Sequence, residues 1–405
     1  MPGTGSTALV TLCYVGRAPR AILRTTTIGA VLLKGVFWGS LGALVWTHAA
    51  YPAAAALAAR RRARPVRKGG TLPTVSIVVA AWNEEAVIER RLENLLALDY
   101  PPELVEIVVA SDASTDRTDE LVEAMAAREP RVRVIRCERG GKVAAQNRAV
   151  RETRGEILAF SDANATWAAL ALRKLVRNFA DPEVAYACGQ LRLEAPDGSN
   201  REGAYWRYEL ALREAESSLG SVTGGNGAIY AVRRADYVDV DPRFGHDLAF
   251  PYLMVQRGRR AVYEPEAIAF EKPSRDQEDE YRRKVRMFEH CWAILAEGRM
   301  LRRLDRLYLV QILSHRHLRY ASGALHLALL AASVALAPRG QAYRAALTGQ
   351  LAVLALAAAG RARLPIPAAG LAYYYCLVTW ATVVALAGYL RSGVPAVWDK
   401  AEGTR

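Results

Sequence analysis

Residues 36–59 contain no Lys, Arg, Asp or Glu. A charge-free run of that length spans the ~30 Å hydrocarbon core of a bilayer as a helix, so the rest of the chain is constrained to fold beside a membrane. A helix of a soluble globular domain carries a polar stripe along its length, and none is visible here. The run begins well inside the chain and leads into a basic cluster rather than a small-residue cleavage site, unlike a signal peptide. Three further apolar stretches lie at 321–337, 345–360 and 366–390. The middle one is short and suits an interfacial or re-entrant segment as well as a span. Four spans are expected, give or take one.

The chain carries a formal charge of +13, and its densest basic cluster, Arg60-Arg61-Arg62-Ala63-Arg64-Pro65-Val66-Arg67-Lys68, directly follows the first apolar run. Basic residues beside a span mark the cytosolic face and suit anionic lipid headgroups. Membrane lipid is therefore an expected partner and nucleic acid is not. The 405 residues divide into an N-terminal segment (1–30), a transmembrane helix (31–59), a basic linker (60–73), a cytosolic domain (74–300), an amphipathic interfacial segment (301–320), about three transmembrane helices (321–390) and a tail (391–405). A plasma or bacterial inner membrane is the expected location. Cys13, Cys137, Cys188, Cys291 and Cys376 show no zinc spacing and suit a reducing compartment; they read as packing residues.

Within the central domain, Val75-Ser76-Ile77-Val78-Val79-Ala80-Ala81 is an apolar run stopped by Trp82-Asn83-Glu84-Glu85. It predicts a buried strand ending in a loop. A helical pattern follows to Leu96, with Ile88, Leu92, Leu95 and Leu96 on one face and arginines and glutamates on the other, and Tyr100-Pro101-Pro102 ends it. The unit recurs with predicted strands at 105–110, 132–136 and 157–160 and helices at 118–128, 142–151 and 168–178. Strands alternating with amphipathic helices predict an α/β domain, a mostly parallel sheet with helices on both faces. Beyond residue 183 the pattern loosens: strands are expected at 184–188, 191–193, 228–232, 261–263 and 267–270, and helices at 205–216 and 276–298. Ligands on parallel sheets sit at the carboxyl ends of strands, so the loops at Asn83, Asp112 and Asp162 are expected to lie together. One acidic strand end is ordinary helix capping. Three at one edge concentrate negative charge, which calls for a cation or ribose hydroxyls.

Trp82-Asn83-Glu84-Glu85, then Asp112-Ala113-Ser114-Thr115-Asp116, Gly141-Lys142 with Asn147, and Asp162-Ala163-Asn164 resemble, in order and spacing, the signatures of inverting family 2 glycosyltransferases. Gly224-Gly225-Asn226-Gly227, Gly245-His246-Asp247-Leu248 and Tyr263-Glu264-Pro265 continue the likeness, which covers residues 75–287. It extends to the bacterial membrane synthases of cellulose, hyaluronan and poly-N-acetylglucosamine and implies a GT-A-like, Rossmann-like domain. It implies a nucleoside diphosphate sugar donor, expected to be UDP-linked, with Asn83, Glu84, Asp112, Lys142 and Asp162 on the donor side. Asp162 and Asn164 fill the places of an Asp-x-Asp motif that holds Mg²⁺ or Mn²⁺; hard cations favour such oxygen ligands. Here the second acid is an amide and adds no charge. Asp247 stands where the family keeps its general base; its preceding acid is replaced by His246, expected either to orient Asp247 or to pack. Gly224, Gly225 and Asn226 fall in the acceptor loop, glycine allowing close approach to a ligand.

The synthases carry Gln-x-x-Arg-Trp on the helix that leads to the membrane. Here Arg286 matches the arginine, expected to face the donor diphosphate, while Arg283 and Met287 replace glutamine and tryptophan. The loss of the tryptophan, which lines the acceptor position in that group, weighs against processive polymerisation. Trp398-Asp399-Lys400 with Arg405 resembles their terminal signature. The resemblance leaves three readings: transfer to a growing glycan or lipid-linked saccharide, with product handed to a channel between the spans; transfer of one sugar to a polyprenyl phosphate or other lipid; or a catalytically silent nucleotide-sugar-binding partner of a synthase.

Overall fold

A computed structural model describes residues 20–193, 203–273 and 277–394; Cys13 and the Trp398-Asp399-Lys400 signature lie outside them. The strands are β1 (Val75–Ala81), β2 (Val105–Asp112), β3 (Val132–Cys137), β4 (Ile157–Asp162), β5 (Thr166–Trp167), β6 (Val184–Leu193), β7 (Tyr230–Arg233) and β8 (Arg260–Glu271). They form one sheet in the order β3-β2-β1-β4-β7-β6-β8-β5. The first four strands pair in parallel, and β6 runs parallel to β8. β7 is antiparallel to both β4 and β6, and β5 to β8. The sheet is therefore mixed, less parallel than its sequence pattern suggests.

Alternation along each strand sends side chains to two cores. Val75, Ile77 and Val79 of β1 pack with Ile88, Leu92, Val122 and Leu175 on one face. Val78 of β1 and Phe160 of β4 pack with Val143, Ala149 and Phe250 on the other. Helices thus cover both faces, which is why the central strands read as continuous apolar runs. The two pairs of short strands expected after residue 183 are single long strands, β6 and β8, whose register slips between Gly189 and Gln190. That irregularity breaks the alternation that a sequence reading relies on. Arg91, expected on the polar face of its helix, is buried (2% exposed). Its guanidinium donates to Ser161 Oγ at 2.7 Å and lies 5.0 Å from the Trp167 ring.

Among the described residues four helices are long and apolar enough to cross a membrane: Gly29–Arg62, Ser322–Arg339, Gln341–Arg361 and Ala369–Ser392. The first is interrupted by a π-helical turn, Trp46–Ala50, and a second π-helical turn, Ile312–His317, precedes the Ser322–Arg339 helix. Such turns expose backbone groups that other segments can use. Here Thr47 Oγ1 donates to the Ser314 carbonyl (2.6 Å) and Trp46 Nε1 to Ser314 Oγ (2.8 Å). The apolar helices also grip the sheet domain directly: Tyr51 and Ala55 pack on Leu212, Ala215 and Leu219. Phe288 and Cys291 of the Gln277–Glu297 helix pack on Ala381 and Ala385.

Candidate active site

The carboxyl ends of β1, β2 and β4 are adjacent in register, with Ala81 opposite Ser111 and Ala80 opposite Asp162. The loop after β1 is bolted to the loop after β2. Asn83 Oδ1 accepts from Thr115 N–H (2.7 Å), Glu84 N–H donates to Thr118 Oγ1 (2.7 Å), and Glu85 N–H donates to Asp116 Oδ2 (3.1 Å). Asn83 and Ala113 both hold φ near +56°, a region that non-glycine residues seldom occupy. Strain of this kind persists only where surrounding bonds over-determine it, as these do. Asn83 and Glu84 thus shape the rim.

Asp112, only 2% exposed, faces the turn that opens the Lys142–Val150 helix. Its carboxylate accepts from Gly140 N–H (2.7 Å) and Gly141 N–H (3.0 Å) and pairs with Arg139. The Arg139 guanidinium in turn lies 3.6 Å from the centre of the Trp82 ring, a cation–π contact. Sequence reasoning missed Arg139, because nothing in its neighbours announces that a loop arginine will cap an aromatic ring two strands away.

One residue further on, the Lys142 ammonium pairs with Asp162. Burial pushes the Lys142 pKa down, but the carboxylates of Asp162 and Asp247 outweigh it and the lysine is held above its ordinary range. Asp247, in the first turn of the His246–Gln256 helix, is pushed up by burial, drawn back by Lys142 and pushed up again by Asp162. One lysine is therefore paired with one carboxylate and feels the charge of another 85 residues further along the chain. Asn164 lies in the turn after β4, half-buried beside them.

The 224–227 loop lies along this cluster, and the room it leaves explains its glycines. A Cβ on Gly227 would come within 2.9 Å of Lys142 Nζ and 3.1 Å of Asp162 Oδ2. One on Gly225 would strike Tyr186 Oη at 1.9 Å, and one on Gly224 would meet Arg316 Nη2 at 2.7 Å. Gly225 N–H donates to the Asp247 carbonyl at 2.8 Å. Asn226, expected beside the acceptor, turns inward: its amide donates to the Gly189 carbonyl (2.7 Å) and its carbonyl accepts from Ile229 N–H (3.0 Å). It holds the loop to β6.

His246, expected either to orient Asp247 or to pack, has the contacts of a packing residue. Its ring nitrogens are engaged elsewhere, with Nδ1 3.0 Å from Tyr230 Oη and Nε2 3.1 Å from Asn147 Oδ1. Phe160, Tyr237 and Phe250 surround it edge-on. Burial lowers its pKa to about 3, so it is a neutral packing residue. The histidine that Asp247 does sense is His290, on the Gln277–Glu297 helix. On that same helix, Arg286 restrains the upward push that burial gives the Glu289 carboxyl, and Met287 is exposed (39%).

A mixed sheet with helices on both faces, its acidic strand ends gathered at one rim, defines a GT-A-like fold. Among solved structures, a mannosyltransferase from Pyrobaculum calidifontis, in complex with GDP-Man and Mn²⁺, superimposes with a TM-score of 0.66 over 89% of this chain and 98% of that one, at 23% identity. That likeness is one of fold. Residues 76–240 match the model of glycosyl transferase family 2. The β-monoglucosyldiacylglycerol synthase of Nostoc sp. is 31% identical over 234 residues, which cover 55% of this chain and 49% of that protein. The poly-β-1,6-N-acetyl-D-glucosamine synthase of Staphylococcus aureus is 26% identical over 209 residues, covering 49% and 50%. The chain spans about half the length of the curated relatives it matches.

Proposed function

We propose that this protein is a membrane-embedded inverting glycosyltransferase, moving a sugar from a nucleoside diphosphate donor to a glycan or lipid-linked acceptor. The observation that carries this reading is Lys142 paired with Asp162 and feeling the charge of Asp247, beside a loop stripped of side chains at Gly227. Ribose and base would lie over the β1–β2 rim, where Arg139 and Trp82 offer a flat platform organised by Asp112. Asp247 would take the proton from the acceptor hydroxyl as it attacks the anomeric carbon. Lys142 and Arg286 would supply fixed positive charge to the diphosphate.

The residues present fit a divalent metal that is shared with the donor. Among the described residues no three His, Cys, Asp or Glu side chains gather as a metal site. Asp162 and Asn164 supply two oxygens at most, and Mg²⁺ in particular is commonly held by one or two carboxylates plus substrate phosphates. Asp162 also draws a cation already, in the Lys142 ammonium. When bound, Mg²⁺ or Mn²⁺ would offset the charge that grows on the departing diphosphate. A cytosolic setting, where nucleotide sugars are made, is supported by the basic linker that follows the first apolar helix.

The test is turnover of a panel of nucleotide sugars by purified protein in lipid, with and without Mg²⁺ or Mn²⁺. We expect metal-dependent release of the nucleoside diphosphate, with a UDP-linked sugar preferred. Binding without turnover of any donor, in the presence of lipid extract, would instead support a silent nucleotide-sugar-binding partner.

A further inference from the structure

Two arginines outside the donor rim have no acidic partner. Among the described residues, neither Arg213 nor Arg316 lies within ion-pair distance of a carboxylate, although most arginines of the sheet domain do. Among the described residues Arg213 reaches the Gly225 carbonyl, at 3.4 Å, and lies over the Tyr263 ring, 5.7 Å from its centre; its Nη1 is buried without a hydrogen-bond partner. Arg316 donates through Nε to Thr223 Oγ1 (3.0 Å) and sets Nη2 against Gly224. The carboxylate whose charge Arg316 feels is Glu216, and its oxygens are taken by Tyr51, Thr223 and His315. The hydroxyl of Tyr186, beside Gly225, is likewise buried without a partner. Both arginines are half-buried; a guanidinium partly withdrawn from water and left without an anion is costly, and both converge on the same two glycines.

Their place along the loop says which ligand they await. Gly227 abuts Lys142 and Asp162, Gly225 abuts Tyr186 and Asp247, and Gly224 abuts Arg316. Asp247 therefore separates the donor end from the arginine end. Arg316 also belongs to the π-helical turn that Trp46 and Thr47 of the first apolar helix hold through Ser314, which puts this end of the loop beside the membrane segments. We propose that Arg213 and Arg316 form an anion subsite on the acceptor side of Asp247 that takes a phosphate esterified to a membrane lipid. This rests on the transferase reading above and narrows its acceptor to a lipid carrying phosphate, either directly or through a sugar.

The experiment uses the full chain in maltoside detergent, titrated with a short-chain prenyl phosphate, the matching prenyl alcohol and inorganic phosphate, with thermal stabilisation as the readout. Because charge-assisted hydrogen bonds to a guanidinium are lost, the prenyl phosphate should bind at least about tenfold more tightly than the alcohol, and Arg213→Gln or Arg316→Gln should each weaken it about tenfold. UDP with Mn²⁺ should bind these variants as it binds the parent. Equal affinity for alcohol and phosphate would overturn the subsite. Competition by inorganic phosphate at equal concentration would overturn its lipid source, and loss of UDP affinity in the variants would return the arginines to the donor. If the Gln variants no longer melt cooperatively, Arg213→Lys and Arg316→Lys decide: retained preference for phosphate supports the subsite and its loss refutes it. Failure of UDP to bind the parent chain, by contrast, tells against the transferase reading itself.

Discussion

At the scale of single residues, the site turns on how Lys142 is shared. Asp247 is raised above the ordinary carboxylate range by burial, and Lys142 limits that rise. A base works only in its charged form, so activity should climb with pH through the raised pKa of Asp247, later than for an exposed aspartate. Removing the lysine charge takes away the group that favours the ionised form. Lys142→Met should therefore move that rising limb to higher pH, and Asp247→Asn should erase it, with turnover falling roughly a hundred- to ten-thousand-fold. A pH–rate profile of the three proteins checks this; a limb that stays in place in Lys142→Met would show that Asp247 is not the titrating base. Asp162 and Asp247 were legible in the sequence because acids at strand ends and helix starts have a recognisable local setting. The direction of the neighbouring His246 was not, since it depends on Tyr230 and Asn147, partners 16 and 99 residues away.

At the scale of elements, the 224–227 loop is shaped by what it passes. Tyr186 on β6 fills the space where a side chain at Gly225 would stand. Gly225→Ala should overpack that contact and destabilise by about 1–3 kcal/mol. Tyr186→Phe removes the oxygen that lies 1.9 Å from the new Cβ and should recover part of the loss, although the ring carbon at 3.1 Å remains. Thermal melts of the two single variants and the double variant give the coupling; strict additivity would mean that the loop yields elsewhere. The sequence carried β1 to β4 almost to the residue, because each is a short apolar run between polar turns. It divided β6 and β8 in two, because an irregular register disturbs alternation at Gly189 and Gln190. The glycine cluster was visible, but its neighbours, Arg213 and Arg316, come from a helix and from the approach to the Ser322–Arg339 helix, and no local pattern joins them.

At the scale of the whole molecule, the middle apolar stretch after the sheet domain resolves as the Gln341–Arg361 helix, 21 residues long, which is long enough to cross a bilayer. If it crosses, the turns on either side of it, at Gly340 and at Arg363, face opposite compartments. Cysteines placed at these two positions, in a chain whose native cysteines are changed to serine, should react with a membrane-impermeant maleimide from opposite sides of sealed vesicles. Labelling of both from one side would make that helix re-entrant.

The polar joint at Glu216 carries a practical consequence. Its carboxylate is buried (1% exposed) and is clothed by Tyr51 from the first hydrophobic helix and His315 from the approach to the second; nearby, Glu209 pairs with Arg319. A water-soluble excised fragment would leave these acids naked and slacken Thr223 at the head of the glycine stretch. If the chain is the transferase proposed above, the greasy helices are masonry for its chemistry, and a trimmed fragment should idle even where it folds.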